Sequence, residues 1–412
     1  LHSGAPITGH FFSLRLWLLS ASCICALVLA TAGPGTAQPT AGIEIDWEVA
    51  NRFRLFAEQK EFDRHVEAAQ KAPANSVLAF EQWLAEKYGG RGWADSIGRL
   101  CFDRFRGRIL ETCKRDGHDE TYLNPPSIRI KLQAKLPSDF GDATCEWQIG
   151  PVNIARPTPA RNCKDPVADG RASTYSQMPI TVIARNQSGR TLTGTINVQV
   201  RDVLIVGVGD SIASGEGNPI HPIKLDSEGF CFRRALLGAS SQFALPGRAG
   251  LDLVKSCEGT EDDLEARKLW DTKGAGWLYN SCHRSLYSYQ MRTALALAIE
   301  NRQLSVTFLP LGCSGAEIGE GLLDSMEARE RPTEDGKTAP AVVEAQMSQL
   351  RNYLKSITDR RGQRRQIDLM LLTVGANDMG FSGLVANIIV HENLERRLLK
   401  DTLVSIDDAA EN

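Results

Sequence analysis

The run Val203-Leu204-Ile205-Val206-Gly207-Val208, closed by Gly209-Asp210-Ser211, constrains this chain more than any other stretch. An apolar run of this length, rich in β-branched residues and ended by glycine, reads as a strand buried on both faces, as in a parallel sheet. Open parallel sheets bind their ligands outside the carboxyl ends of the strands. A serine at that end, among glycines that let the backbone approach a reacting group, is a candidate nucleophile.

Two further buried strands are expected at Leu304 to Leu309 and Ile367 to Val374. A helix is expected before the second strand, with Tyr287, Met291, Leu295 and Ala298 on one face. This βαβ alternation predicts an α/β fold with a parallel, doubly wound sheet. Residues 224 to 281 form an insertion rich in Gly, Ser and charge, longer than one helix needs, and expected to shape a substrate pocket.

The chain ahead of Val203 divides by pattern. Arg15 precedes the apolar stretches Leu16 to Ala21 and Cys23 to Ala32, and Gly35-Thr36-Ala37 offers small residues for cleavage, so residues 1–37 read as a signal peptide. An uncleaved membrane anchor is the alternative; the apolar run is short for a span, and no stable span is expected after cleavage. Residues 43–126 are expected to be mostly helical, from the spacing of Val77, Phe80, Trp83 and Leu84 and the stop at Pro125-Pro126. Residues 127–202 alternate apolar and polar, as in Ile128 to Ala134 and Ile196 to Arg201, with a turn at Asn186-Gln187-Ser188-Gly189. They predict a small antiparallel β-sandwich-like domain whose last strand feeds straight into the parallel sheet.

With 412 residues there is room for two or more domains. The net charge of −3, from interspersed acids and bases, gives no sign of a nucleic-acid partner. Of 10 cysteines, Cys23 and Cys25 lie in the leader, leaving an even number in an exported chain where disulfides are favoured. Cys145 and Cys163 are expected to staple the β domain. Cys282-His283 is an isolated neighbour pair, poorly suited to zinc.

Three strand ends carry polar motifs: Gly209-Asp210-Ser211, Gly312-Cys313-Ser314-Gly315-Ala316 and Gly375-Ala376-Asn377-Asp378. Strand ends on one edge of a parallel sheet converge, so Ser211, Gly315 and Asn377 are expected around one point. Acyl transfer needs such a group: a hydroxyl to attack the carbonyl carbon, and donors to meet the developing oxyanion. The donors are the Asn377 amide, the Gly315 N–H and the Ser211 N–H. The bland alternatives are a helix N-cap for Ser211, a tight turn for Gly315 and a cap for Asn377. The Rossmann fingerprint fails at Ile212, and the Gly-x-Ser-x-Gly elbow fails at Ala213.

These blocks, in this order, resemble the SGNH hydrolases, also called GDSL esterases and lipases, over roughly residues 203–390. Ser211-x-x-Ser214-Gly215-Glu216-Gly217, Cys282-x-Arg284-Ser285 and Cys313-Ser314-Gly315-Ala316 are similar to secreted bacterial members. The resemblance implies a flavodoxin-like sheet, a Cys282–Cys313 disulfide, Ser211 as nucleophile and Gly315 and Asn377 in the oxyanion hole. Asp210 would organise the turn rather than react. It implies a secreted or periplasmic esterase or lipase acting on small esters, lipids or O-acylated sugars through an acyl-serine, with no metal or cofactor. One departure stands out: the family's Asp-x-x-His is missing, since His391 has no Asp three residues before it. The 203–412 region is therefore expected to be incomplete at its carboxyl end, the chain to be a fragment or prematurely ended product, and its turnover small. His221 is a remote substitute for the base, and a non-catalytic, exported carbohydrate-binding protein is the competing function.

Overall fold

A computed structural model of the chain describes residues 42–222 and 274–381, except 74–75, 90–91, 152–156, 335–336, 356 and 358–364, together with 247–249, 252–254 and 384. The expected signal peptide, most of the 224–281 insertion, Cys231, Cys257 and His391 lie outside the described residues.

Alternating sequence produces the antiparallel layer. Its strands are β1 (Glu44–Val49), β2 (Ser127–Lys135), β3 (Ala143–Ile149), β4 (Val167–Ser173), β5 (Met178–Asn186) and β6 (Thr191–Val198). They form two sheets, ordered β1-β2-β4 and β6-β5-β3, the latter extended by the short strand Arg161–Asn162. Every second residue of β2 is buried, as its period-2 pattern requires. The two sheets share a core in which Ile130, Leu132, Trp147, Ile180 and Val182 are at most 1% exposed. The Cys145–Cys163 disulfide forms as expected.

The expectation that residues 43–126 are mostly helical is corrected. Among the described residues of this region, helices are confined to α1 (Gln59–Lys71), α2 (Val77–Lys87) and a single turn at Trp93–Ser96. Strand β1 pairs with β2 instead, because Ile43, Ile45, Trp47 and Val49 alternate with acidic residues. Phe102–Asp103 pairs with Arg108–Ile109, and Thr112–Arg115 with His118–Thr121. The second hairpin turns on Asp116-Gly117, a dipeptide that favours the two-residue turn of a hairpin. A Cys101–Cys113 disulfide links the two hairpins.

The parallel sheet is built from β7 (Arg201–Gly209), β8 (Leu304–Pro310) and β9 (Leu369–Thr373), in the order β8-β7-β9. Only Gln199 and Val200 separate β6 from β7. Leu204, Ile205 and Val206 are fully buried, each contributing about 1.5–3 kcal/mol by leaving water. Helix α3 (Tyr289–Glu300) precedes β8 and buries Met291, Leu295 and Ala298, while Tyr287 falls just before its Ser288 N-cap. Helix α4 (Gln346–Lys355) precedes β9. The outer edge of β8 is covered by Arg52–Arg54: Phe53 bridges Val306 in parallel, and Val306 N donates to Arg52 O at 2.8 Å. The N-terminal segment thus packs into the sheet's own core, where Phe53, Phe56, Trp93 and Tyr122 join Leu204 and Val306.

Strand β9 differs from its expectation. Leu369, Met370 and Leu372 are exposed, and among the described residues β9 has one hydrogen-bonded neighbour and lies at the end of the strand order. Among the described residues the architecture is mixed α/β, with several small sheets, parallel pairing confined mainly to one of them, and no closed barrel.

Candidate active site

Strand β7 is central, and the chain leaves it first toward β8 on one side and later toward β9 on the other. The carboxyl end of β7 is therefore the switch point, the position at which open parallel sheets bind ligands. Gly209-Asp210-Ser211 occupies that point. The buried Gln346 side chain clamps Gly209 on both sides: Gly209 N donates to its Oε1 at 2.7 Å, and its Nε2 donates to Gly209 O at 2.9 Å. Asp210 N donates to Thr373 O at 2.9 Å, fixing the turn to the end of β9. The Asp210 carboxylate caps the helical turn Ser211–Ser214 by accepting from Ile212 N at 3.0 Å. Burial pushes the Asp210 carboxyl above its ordinary range, and the Asp378 charge adds to this. Asp210 thus organises the turn, and it is fully buried.

The second block is stitched to the first. Cys313 N donates to Gly209 O at 2.9 Å, and Ser314 N to Cys282 O at 3.0 Å. The Cys282–Cys313 disulfide is formed. Gly315 has φ +80°, a conformation that disfavours a side chain, and a β-carbon there would lie 3.1 Å from the Arg329 guanidinium, which would have to give by a few tenths of an ångström. The third block reaches the second through Asn377, whose Nδ2 donates to Ala316 O at 2.9 Å. Ile318 N donates to Asp378 Oδ1 at 3.0 Å.

The three expected segments are therefore joined at one sheet edge, with Ser211, Gly315 and Asn377 all partly accessible. Among the described residues, neither the Ser211 N–H nor the Gly315 N–H has an acceptor, and the Ser211 hydroxyl has no hydrogen-bond partner. His221 faces Asp95, its Nδ1 3.8 Å from Asp95 Oδ2, and makes no bond to Ser211.

Sequence reasoning missed a buried polar cluster beside this edge. His283 Nδ1 lies 2.9 Å from Glu216 Oε1, and its Nε2 lies 3.2 Å from Glu330 Oε1. The other Glu216 oxygen accepts from Ser314 Oγ. Trp277 stacks on the imidazole at 3.8 Å with an interplanar angle of 8°. Burial opposes charge on His283, but the two carboxylates outweigh it and hold its pKa above the ordinary 6.5. Burial likewise opposes charge on Glu216, yet hydrogen bonds from His283 and Ser314 bring its carboxyl down to about 2. The available signal was positional: Glu216 stands in the block after Ser211, and His283 follows a bonded cysteine.

Comparison of the chain with family models, with curated proteins and with solved structures found no match.

Proposed function

We propose that this chain is a secreted or periplasmic serine esterase of the SGNH type, with a flavodoxin-like parallel sheet, that transfers the acyl group of a carboxylic ester to Ser211. The observation that carries the reading is the joining of three strand-end motifs at the switch point of a parallel sheet, through Cys313 N to Gly209 O and Asn377 Nδ2 to Ala316 O. Two N–H groups in these motifs, at Ser211 and Gly315, have no acceptor among the described residues. In the proposed step Ser211 Oγ attacks the ester carbonyl, and its proton passes to solvent. The oxyanion is met by the two N–H groups and the Asn377 amide, and the alcohol leaves. The three disulfides among the described residues fit an oxidising compartment, and no described helix is long and apolar enough to cross a membrane. Esters with lipid acyl chains and O-acylated sugars are the substrate classes.

A serine without a base is a weak nucleophile at neutral pH, and Ser211 has no such partner among the described residues. Turnover is accordingly expected to be slow, and only an activated ester with a good leaving group such as p-nitrophenolate acylates Ser211 faster than unactivated water removes the acyl group. The test is release of p-nitrophenol from the acetate and butyrate esters by the wild-type chain and by Ser211→Ala. A burst of about one equivalent, lost in the variant, supports the reading. Equal release by both proteins overturns it and favours a non-catalytic binding module.

A further inference from the structure

We propose that Glu216 is a positioning residue that ties the nucleophile turn to the oxyanion loop, holding Ser314 so that the next residue, Gly315, presents its N–H to the reacting carbonyl. This rests on the esterase reading above. The main chain of Glu216 is anchored to the nucleophile itself, since Glu216 N donates to Ser211 O at 3.1 Å. Its carboxylate is anchored to the oxyanion loop, accepting from the Oγ of the fully buried Ser314. A third contact holds the carboxylate in place: His283, itself fixed between Glu216 and Glu330 and stacked on Trp277. The Trp277 indole N–H returns to Glu216 O at 3.0 Å, so both ends of the residue are held.

The same contacts exclude a more direct role. Both Glu216 oxygens and both His283 ring nitrogens are occupied within the cluster, so neither group is placed to take the Ser211 proton. What the cluster does is fix geometry. An oxyanion donor works only when it is aligned with the developing charge, and a displacement of about 1 Å costs on the order of 100-fold in rate.

The experiment compares wild type, Glu216→Ala, Ser314→Ala, their double variant and Glu216→Gln. Two readouts are used: the rate of Ser211 butyrylation by p-nitrophenyl butyrate, and amide hydrogen exchange at Gly315 and Ala316. Each alanine variant should slow saturated acylation by roughly 10- to 100-fold, with half-saturation moving less than about twofold. The double variant should be no slower than the slower single one, the mark of residues acting as one unit. Glu216→Gln, which keeps an oxygen for Ser314, should recover most of the rate. Exchange at Gly315 and Ala316 should rise in both alanine variants, whatever the chemistry at Ser211. Additive single effects, a glutamine variant as slow as alanine, or unchanged exchange overturns the proposal. Absence of any Ser211-dependent acylation in the wild type sinks the esterase reading instead, and exchange then decides whether Glu216 orders the loop. If Glu216→Ala does not fold, Ser314→Ala, which removes one oxygen, decides alone.

Discussion

Gly209→Ala is the substitution whose outcome follows most directly from the geometry of the switch point. Gly209 has φ +129°, and a β-carbon there would lie 1.9 Å from Thr373 O and 2.8 Å from its carbonyl carbon. Neither atom belongs to a flexible side chain, so relief requires β7 and β9 to separate by more than an ångström. That movement strains the Asp210 N to Thr373 O bond and the paired bonds between Gly209 and Gln346. The backbone strain costs about 1–3 kcal/mol, and each lost hydrogen bond a further ~1 kcal/mol net. Together they come to about 4 kcal/mol or more, a large part of the roughly 5–15 kcal/mol that holds a protein folded. Urea unfolding followed by tryptophan fluorescence should show the midpoint falling by roughly 1 M or more. Gly217→Ala is the control, because a β-carbon there meets nothing within 4 Å. A Gly209→Ala midpoint equal to that of Gly217→Ala would show that the β7–β9 contact at Gly209 tolerates a side chain.

Three further outcomes are expected. Replacing Cys282 and Cys313 by alanine together opens a loop of sequence separation 31 and should cost about 3–4 kcal/mol in urea unfolding; a loss below about 1 kcal/mol would contradict the chain-entropy account. The His283 cluster should give a pH-dependent stability. The raised imidazole contributes fully below about 6.5 and loses its contribution as pH climbs through the higher folded value, whereas Glu216 contributes above 4.5 and loses it as pH falls toward 2. Its contribution therefore peaks between pH 4.5 and 6.5, and His283→Asn should flatten the alkaline fall in Tm measured against wild type; an unchanged profile would contradict this. Asn377→Ala should slow acylation of Ser211 by about 100- to 1,000-fold, while the fold is kept; an unchanged burst rate would remove Asn377 from the oxyanion site.

Much of the parallel sheet was legible because its signals are local. The run Val203 to Val208 is apolar throughout, and Met291, Leu295 and Ala298 recur at helical spacing. The strict alternation of Ile128 to Ala134 could be read in the same way. The motifs at the strand ends were legible for the same reason, each following directly on a strand. What escaped was tertiary. Nothing in Arg52-Phe53-Arg54 announces that it will lie along Val306, and the pairing is set by a core that Phe53 and Phe56 share with distant strands. Strand β1 lies in a short alternating segment, Ile43 to Val49, beside a longer stretch of helical spacing that dominates the pattern of the region. Glu216, His283, Ser314 and Glu330 lie far apart along the chain, and only the fold gives them one desolvated environment.

If Ser211 is a nucleophile, an acyl-enzyme must form on it. The chain would be incubated with p-nitrophenyl butyrate at neutral pH, and its intact mass and peptide map recorded. One butyryl group per chain is expected, located on Ser211, accumulating because no base lies beside Ser211 among the described residues to speed deacylation, and absent from Ser211→Ala. A chain that stays unmodified, or that carries the same adduct after Ser211→Ala, would contradict this role of Ser211.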